Sequence, residues 1–424
     1  MRIAIIGTGI AGNVAAWQLR DRHDITVYES GSYVGGHTNT IDVDEDGRSL
    51  AVDTGFIVFN EKTYPNFIRI LDEIGQASKP TEMSFSVHAA DGRIEYNGSS
   101  LNGLFAQRRN LLRPSFLRMV RDILRFFREA TPDIQRFGRH LTLGEYLSVR
   151  GYSQEFVDDY LVPMTAAIWS AAPGAILEMP ALFLVRFFKN HGLLQLQDRP
   201  QWHVIEGGSR EYVRRLTQGH ADRIRLNEAV TSVKRTPGGV QVTSAGGGTE
   251  TYDHVFMACH SDQALALLRD PTPAERSVLG AINYQPNEAV LHTDASVLPT
   301  RRRAWAAWNY FIPEDPHGHV AVSYNMNILQ GLDAKETYVV TLNDDRRIDP
   351  GKIIRRIQYD HPMYTLETLA AQRRQREINC DRTFYCGAYW RNGFHEDGVV
   401  SALDAVAHFE ERLDSEELYL RRAG

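Results

Sequence analysis

Three glycines near the beginning of the chain have the spacing of a phosphate-binding loop. Gly7, Gly9 and Gly12 follow the apolar run Arg2 to Ile6, which has the composition of a buried parallel strand. Glycine permits a tight first turn, close approach of the backbone to a pyrophosphate, and close packing of the next helix on the strand. The free amides of that helix would face the phosphates. The spacing predicts a dinucleotide site that also includes Ile10 and Ala11.

An acidic residue follows where a ribose contact is expected. The segment ITVYE predicts a second strand that ends at Glu29, next to Ser30. A carboxylate at this point accepts hydrogen bonds from both ribose hydroxyls, and its negative charge argues against the 2′-phosphate of NADP. Strand, glycines, helix, strand and acid occur within about 30 residues, the size of one βαβ unit. This order disfavours an ordinary glycine-rich turn.

The next segment, SGSYVGGHTNT, decides between dinucleotides. Gly35 and Gly36 resemble the second glycine motif of the amine oxidase and phytoene desaturase superfamily of flavoproteins. In that family the pair brings the backbone close to the pyrophosphate and ribityl chain of FAD. The family usually has arginine after the pair, whereas this chain has His37, followed by Thr38. The resemblance implies FAD. We expect it to bind non-covalently, with His37 and the three cysteines as the alternatives for covalent attachment.

Three further stretches resemble the same family. In VDTGFIVFN, the resemblance places Thr54, Gly55 and Phe56 beside the isoalloxazine ring, and in a strand-rich middle stretch it places the backbone of Val230 at the adenine. The middle stretch predicts a strand from Ile224 that continues through 230–234, a hairpin that turns at Gly246 to Gly248, and a buried strand over 255–258.

The C-terminal stretch predicts a last strand over 383–386, ended by Gly387, and a helix over 399–413. Asp397 would be its N-cap, and Gly398 and Val399 would begin it. In the family this helix N-terminus points at the flavin, where its positive end stabilises charge on the reduced ring. Many members have an acid after the glycine of the strand; here Ala388 occupies that place.

The resemblance implies an α/β fold with two domains. A Rossmann-type, glutathione-reductase-like FAD-binding domain would comprise residues 1–80, 201–260 and 374–424. A mixed sheet-plus-helix substrate domain with a helical insert would comprise residues 81–200 and 261–373. No metal site is expected, because Cys380 and Cys386 lack a second pair of ligands at zinc spacing.

The substrate half contains a hairpin over 83–98 and then helices. PSFLRMVRDILRFFREA predicts an amphipathic helix, and arginines are frequent over 108–128. Such a segment either contacts an anionic membrane or forms a lid helix with a solvated basic face. Thr142 and Glu145 form a capping box that predicts another helix. The apolar run 179–194 either lines a substrate tunnel or is a core helix.

Four strands are predicted in the second part of this half, over 288–294, 304–311, 319–327 and 338–343. They contain the aromatic residues Trp305, Trp308, Tyr310 and Tyr324. Amine oxidases of the family commonly use an aromatic cage and a lysine that holds a water near flavin N5. Lys335 and Lys352 fall outside the predicted strands. This departure weakens an amine oxidase interpretation.

The combination of GGHTNT, DTGFIVFN, AAWNYF, YNMNILQGL, VTLN and GFHEDG resembles a bacterial subgroup. These FAD proteins are similar to fatty-acid double-bond isomerases and are associated with cyclopropane or methyl-branched fatty-acid synthesis. The resemblance implies an unsaturated or methyl-branched acyl chain as substrate, desaturation or isomerisation as reaction, and a lipid methyltransferase as a candidate partner. His395, Tyr324 and Tyr64 are the candidate catalytic residues. Flavin amine oxidase and non-catalytic scaffold remain alternatives.

Composition limits the partners and the location. The chain has 424 residues and a formal net charge of −6, which gives no reason to expect nucleic acid. No apolar run reaches the roughly 20 residues that span a bilayer, and the opening MRIAII is too short for a signal peptide. The three cysteines suit a reducing compartment. We expect a cytoplasmic protein, with contact to the inner face of the membrane through 108–128 as an option.

Overall fold

A five-stranded parallel sheet forms the nucleotide-binding side of the computed structural model, which describes residues 1–137, 141–314 and 321–423. All neighbours in this sheet are parallel. Its strands, in spatial order, are Ile224–Arg225, Asp24–Tyr28, Arg2–Ile6, His254–Met257 and Thr383–Tyr385. The α/β class and the Rossmann-type arrangement are confirmed.

The first helix, Ile10–Leu19, lies close to the central strand because Gly12 has no side chain. A Cβ on Gly12 would lie 1.9 Å from the carbonyl oxygen of Gly7. Gly7 itself has φ +104°, a conformation that L side chains rarely adopt. The predicted roles of these two glycines in the turn and in helix packing are therefore confirmed.

Three smaller sheets surround this unit. One is an antiparallel meander of Val230–Thr236, Gly239–Ser244 and Thr249–Tyr252. A second pairs Thr40–Glu45 with Arg48–Asp53, and a third joins Val58–Asn60, Trp202–Ile205 and Ser78–Thr81. The predicted continuous strand from Ile224 through 234 was wrong. Asn227, at φ +55°, turns the chain between two different sheets.

A seven-stranded mixed sheet forms the opposite side. Its order is Ile353–Pro362, Tyr284–His292, Val339–Leu342, Ala321–Asn325, Trp308–Ile312, Phe85–Ala89 and Glu95–Asn97. The predicted hairpin and strands lie in this sheet, although residues 319 and 320 of one prediction are outside the described residues. The edge strand Ile353–Pro362 was not predicted, because its exposed Arg355 and Arg356 interrupt the apolar pattern.

The insert between the two parts of the sheet is helical. Pro114–Phe137 buries Phe116, Met119, Phe126 and Ile134 in a core shared with the later helices. The predicted capping box is confirmed, because Glu145 N donates to Thr142 Oγ1 at 3.2 Å and Thr142 N donates to Glu145 Oε2 at 2.9 Å. No helix in the described ranges is both long and apolar enough to cross a bilayer.

The remaining helices are short. They are Pro65–Glu73, Leu101–Leu104, Leu143–Arg150, Gln154–Phe156, Val162–Trp169, Pro173–Glu178, Ala181–Asn190, Arg210–Thr217, Ser261–Leu267, Pro273–Leu279, Met326–Leu329, Leu366–Gln372 and Gln375–Ile378. A π-helical turn covers Val157–Leu161. Turns of 3₁₀ helix cover Arg108–Leu112, Ala221–Arg223, Ala295–Val297, Arg302–Ala304, Asp345–Arg347, Pro350–Lys352 and Ala388–Trp390. The long helix His395–Ala423 returns to the nucleotide-binding side.

Candidate active site

The two glycine loops meet at the beginning of the first helix. Gly9 is the N-cap of Ile10–Leu19, and a Cβ on it would find no protein atom within 4 Å. A Cβ on Gly36 would lie 3.1 Å from Gly9 Cα. The amides of Ile10 and Ala11 begin the helix beside this open space. An uncrowded helix N-terminus with two glycine loops fits a diphosphate.

Glu29 is held beside this loop. Its carboxylate accepts hydrogen bonds from Thr8 N at 3.0 Å and Gly31 N at 2.7 Å, and also from the Thr8 hydroxyl. Ser30 Oγ donates to it at 3.3 Å. Glu29 remains half-buried at the sheet edge, where a ribose would lie. Sequence reasoning missed the buried Thr8, because an unspecified position within a glycine motif carries no pattern of its own.

The predicted adenine contact lies on the same side of the sheet. Asn227 N donates to Gly31 O and Glu228 N donates to Glu29 O, both at 2.9 Å. These bonds join the segment that leads into Val230 to the segment that carries Glu29. The assignment of Val230 to the adenine stays a prediction, and its position next to the ribose side is consistent with it.

The second glycine motif is tied to the Thr54–Phe56 loop. Phe56 N donates to His37 O at 2.8 Å, and a Cβ on Gly55 would lie 2.1 Å from that oxygen. Thr54 Oγ1 donates to Asn39 O at 3.1 Å. Gly35 N donates to Thr8 Oγ1 at 3.3 Å, which joins this motif to the first loop. Residues predicted from three separate motifs are thus adjacent.

Three histidines from distant segments gather where the family usually has an arginine. The ring of His37 stacks on Tyr359 at 4.7 Å and lies 5.5 Å from His361 and 6.2 Å from His260. Burial, together with the neighbouring His361 and His260, lowers the pKa of His37 well below its usual value. Its Nε2 is buried and has no hydrogen-bond partner among the described residues. We call His37, His260 and His361 the histidine cluster.

A chain of amides orients one member of this cluster. Asn343 Oδ1 accepts from Glu288 N at 2.9 Å, so its Nδ2 is the atom that donates to Asn287 Oδ1 at 2.7 Å. Asn287 Nδ2 in turn faces His361 Nδ1 at 3.0 Å. The ring therefore accepts at Nδ1 and carries its proton on Nε2. Among the described residues, no group of three histidine, cysteine or acidic side chains is arranged to hold a metal.

The C-terminal helix begins next to the first one. A Cβ on Gly398 would lie 2.5 Å from Ile10 Cγ2, and Val399 is fully buried. Gly387 N donates to Ser401 Oγ at 2.8 Å, which holds the end of the last strand against this helix. The predicted site residues from both ends of the chain therefore lie around one helix N-terminus.

The predicted start of this helix was wrong by three residues. It begins at His395, so Asp397 is inside the first turn and is not the N-cap. Its Oδ2 accepts from Phe394 N at 2.9 Å, as an acid in the third helical position does in a capping box. Burial raises the pKa of Asp397 to about 7.

His395 is bonded to both sides of the predicted flavin site. Its Nε2 lies 2.6 Å from Tyr212 Oη, which lies 2.6 Å from Thr38 Oγ1. The ring stacks on Phe56 with 3.6 Å between centroids. Burial lowers the pKa of His395 to about 3, so the imidazole is neutral at physiological pH. Tyr212, which anchors it, was not predicted because its helix carries no motif.

The two candidate tyrosines lie on different sides of the site. Tyr64 precedes the helix Pro65–Glu73, is buried, and packs near Phe59 and Trp202. Tyr324 lies in the seven-stranded sheet opposite Trp308, with 5.0 Å between their rings. Burial raises the pKa of both hydroxyls. The catalytic roles of His395, Tyr64 and Tyr324 stay predictions.

Glu396 connects the C-terminal helix to the helix that follows Tyr64. Its carboxylate accepts from Asn66 N at 3.1 Å and Phe67 N at 2.9 Å, and from Asn66 Nδ2 at 2.7 Å. A negative charge at a helix N-terminus is favourable both for the free amides and for the helix dipole. Sequence reasoning missed this contact because the two segments are more than 300 residues apart.

An aromatic wall joins the helical insert to the segment just before His395. Phe187 stacks on Phe394 at 5.0 Å and on His191 at 3.8 Å, while Phe183 stacks on Tyr364 at 4.9 Å. Trp169 Nε1 donates to Asn392 O at 3.1 Å. We define the aromatic wall as Trp169, Phe183, Phe187, His191, Tyr364 and Phe394. It contains the middle of the apolar run 179–194 and leaves the Tyr364 hydroxyl buried without a partner.

The lysines that an amine oxidase interpretation requires are elsewhere. No strand of the seven-stranded sheet contains lysine within its described bounds. Lys335 pairs with Asp46 at 2.5 Å and Lys352 with Asp294 at 3.3 Å. Both lie outside the strands, as predicted.

Comparison with known proteins identifies the family. Residues 10–317 match the model of the flavin containing amine oxidoreductase family. A protein of Mycobacterium tuberculosis named as a flavin-containing monoamine oxidase, AofH, is 29% identical over 293 residues, which are 63% of this chain and 59% of that protein. The chain thus spans less than two thirds of the length of this curated relative.

Solved structures share the fold. A fatty acid isomerase from P. acnes superposes with a TM-score of 0.67 at 17% identity, covering 96% of this chain and 98% of that one. Cyclohexylamine oxidase from Brevibacterium oxydans superposes with a TM-score of 0.68 at 16% identity, covering 97% and 99%. At such identities the likeness shows the fold alone. From the family match, the chain belongs to the flavin-containing amine oxidoreductases, a family of FAD-dependent oxidoreductases.

Proposed function

We propose that this enzyme acts on an unsaturated or methyl-branched fatty acyl chain, by desaturation or double-bond isomerisation. The observation that carries the proposal is the aromatic wall, a mostly buried apolar cluster next to the N-terminus of the C-terminal helix, with Phe394 and His191 half-buried at its margin. Its Phe394 immediately precedes His395, which is bonded to the predicted flavin loops. A long apolar substrate needs such a dry surface beside the cofactor.

The side chains near the wall suit an uncharged substrate. His395 is neutral, and no lysine from the sheet strands is available to hold a water. FAD, when bound, supplies a hydride acceptor. The residues of this chain would hold the acyl chain, exclude water, and stabilise developing positive charge with aromatic faces. The neutral imidazole of His395 is the candidate proton acceptor, and the hydroxyls of Tyr64 and Tyr324 are candidate donors.

An amine substrate is the second candidate, because AofH and cyclohexylamine oxidase are named for amine oxidation. Aromatic faces attract ammonium groups as well as apolar chains. A third candidate is a scaffold that binds FAD and a lipid methyltransferase without catalysis. If the second candidate is right, an amine reduces the flavin; if the third is right, no substrate does.

The test is anaerobic absorbance of the holoprotein at the flavin bands with detergent-solubilised bacterial phospholipid, followed by mass analysis of the lipid. Lasting bleaching with loss of two hydrogens from an acyl chain means desaturation. A moved double bond without lasting bleaching means isomerisation. Bleaching by putrescine or cyclohexylamine, with unchanged lipid, would replace the proposal with amine oxidation. No response to lipids or amines would favour the scaffold.

A matched pair of variants tests the role of the wall. Phe394→Ala removes the ring that lies next to His395, whereas Phe394→Leu keeps an apolar side chain. We expect the first to weaken the lipid-dependent response about tenfold or more and the second to change it less, as expected for lost apolar contact of about 1.5–3 kcal/mol. Equal lipid responses in both variants and the parent would show that the wall does not contact substrate.

A further inference from the structure

The corner that precedes the long helix exposes large apolar side chains. It comprises the helix Leu101–Leu104, the turn Arg108–Leu112 and the first residues of Pro114–Phe137. Leu112 is 88% exposed and Leu101 is 77% exposed, the two highest values among large apolar side chains in the described part of the chain. Leu111 and Leu117 are also exposed. We call these four leucines with Arg108, Arg109 and Arg113 the leucine–arginine corner.

The arginines of this corner hydrogen-bond mainly to neutral groups, although Arg113 also lies near enough to Asp159 to counteract the rise that burial causes in the pKa of that carboxyl. Arg108 donates to Phe105 O and Asn102 Oδ1, Arg109 donates to Gly92 O, and Arg113 donates to Arg93 O. These acceptors are neutral, and none of the three arginines forms an ion pair with a described carboxylate. Arg108 and Arg109 are therefore exposed charges beside the leucines, and Arg113 next to them is half-buried.

The following helix differs from the corner. Four of its arginines have acidic partners nearby: Arg118 has Glu155, Arg121 has Asp122, and Arg125 and Arg128 share Glu129. Arginines thus recur throughout the basic segment 108–128, but their ion pairing differs along it. The arginines of its C-terminal part form ion pairs on a helix that packs on the core, whereas those of its first six residues form none with described carboxylates.

A shallow, open depression lies within the corner. It is lined by Asp91, Arg93, Arg109, Leu112, Arg113 and Pro114. The carboxylate of Asp91 lies 3.6 Å from Arg93, and Arg93 also binds Asp159. Arg109, which forms no ion pair within the described residues, is left to attract an anion next to the most exposed leucine, with Arg113 beside it. A phosphate that carries an apolar chain satisfies both features.

We propose that the leucine–arginine corner docks on a bilayer that contains anionic phospholipid. The leucines would enter the acyl region, and Arg108, Arg109 and Arg113 would contact the headgroup phosphates. The long helix behind the corner contacts the helix that carries the aromatic wall, with 6.4 Å between the rings of Phe126 and Phe188. Docking itself is independent of the reaction. That it delivers the substrate rests on the function proposed above.

The test is sedimentation of the holoprotein with vesicles, which measures docking without activity. Vesicles of phosphatidylcholine alone are compared with vesicles that also contain phosphatidylglycerol, in about 0.15 M salt. We expect at least tenfold tighter binding to the anionic vesicles, and weaker binding as salt rises. Equal sedimentation with both kinds of vesicle, or with neither, would overturn the proposal.

Matched variants locate the surface. Leu101→Asp with Leu112→Asp changes two exposed side chains of the corner, and Leu196→Asp changes a leucine that is 68% exposed elsewhere. We expect the double variant to lose vesicle binding about tenfold or more, and the control to bind normally. Normal vesicle binding by the double variant would refute the location. If wild type instead forms a dimer that the double variant cannot form, and does not sediment with vesicles, the corner is an interface between copies.

Discussion

Replacing Gly9 or Gly12 of the first loop with alanine should impair different properties of the protein. A Cβ on Gly9 meets no protein atom within 4 Å, and its φ of −63° suits alanine. A Cβ on Gly12 would lie 1.9 Å from the backbone oxygen of Gly7. Gly9→Ala should therefore spare the fold and impair FAD binding, whereas Gly12→Ala should impair the fold itself.

The magnitudes separate the two variants. Gly9→Ala at an N-cap should change the free energy of unfolding of the FAD-free protein by less than about 1 kcal/mol. If the methyl group displaces the diphosphate from one charge-assisted hydrogen bond, about 1.5–3 kcal/mol of binding is lost, a roughly tenfold to hundredfold increase in Kd. For Gly12→Ala, the gain of about 1 kcal/mol in helix propensity is smaller than the overpacking cost of about 1–3 kcal/mol or more.

Two measurements check this prediction. Denaturant unfolding of the FAD-free protein gives the intrinsic stability, and titration of flavin fluorescence gives the Kd. With FAD at about 100 times the wild-type Kd, bound cofactor adds about 2.7 kcal/mol to wild type but only about 0.4 kcal/mol to a variant with a hundredfold higher Kd. Unchanged FAD affinity in Gly9→Ala would refute the placement of the diphosphate over Gly9. Normal stability of Gly12→Ala would refute the packing argument.

Three further predictions concern single side chains. Without FAD the pKa of His37 is well below its usual value. A bound diphosphate that raises this pKa makes the FAD affinity increase by up to about tenfold per pH unit as the pH falls. A pH series of Kd values should show this dependence in wild type and a flatter one in His37→Gln. Glu396→Ala should lower the free energy of unfolding by about 2–3 kcal/mol, because the buried amide of Phe67 and the half-buried amide of Asn66 lose their acceptor. Glu396→Gln should lose less in the same denaturant titration. Burial raises the pKa of Asp397 to about 7, so the folded state holds this proton more tightly than the unfolded state does. The free energy of unfolding of wild type should therefore fall relative to that of Asp397→Asn as pH rises from about 4 to about 7. A difference in unfolding free energy that stays constant over this range would contradict the burial of the carboxyl group.

Sequence patterns indicated those parts of the site whose residues lie close together along the chain. The first strand, the glycines, the helix and Glu29 are neighbours in sequence, so spacing alone indicated their arrangement. The histidine cluster was beyond such reasoning, since His37, His260 and His361 come from three distant segments and only the folded sheets bring them together. The start of the last helix was misplaced because Gly398 resembles a helix boundary, whereas the bond from Phe394 N to Asp397 sets the boundary earlier.

The order of strands in the parallel sheet has a consequence for biosynthesis. Residues 2–6 lie between residues 24–28 and 254–257, and the sheet is completed by residues 383–385. The ribosome makes the phosphate loop long before Gly398, which packs against Ile10 at the start of the first helix. Contacts between segments so far apart in sequence are slow to form. Until residues 254–257 pair with it, the first strand has only one of its two neighbours. A nascent chain that contains the whole glycine motif should therefore be unable to retain FAD, and cofactor loading would follow release of the C-terminal helix from the exit tunnel.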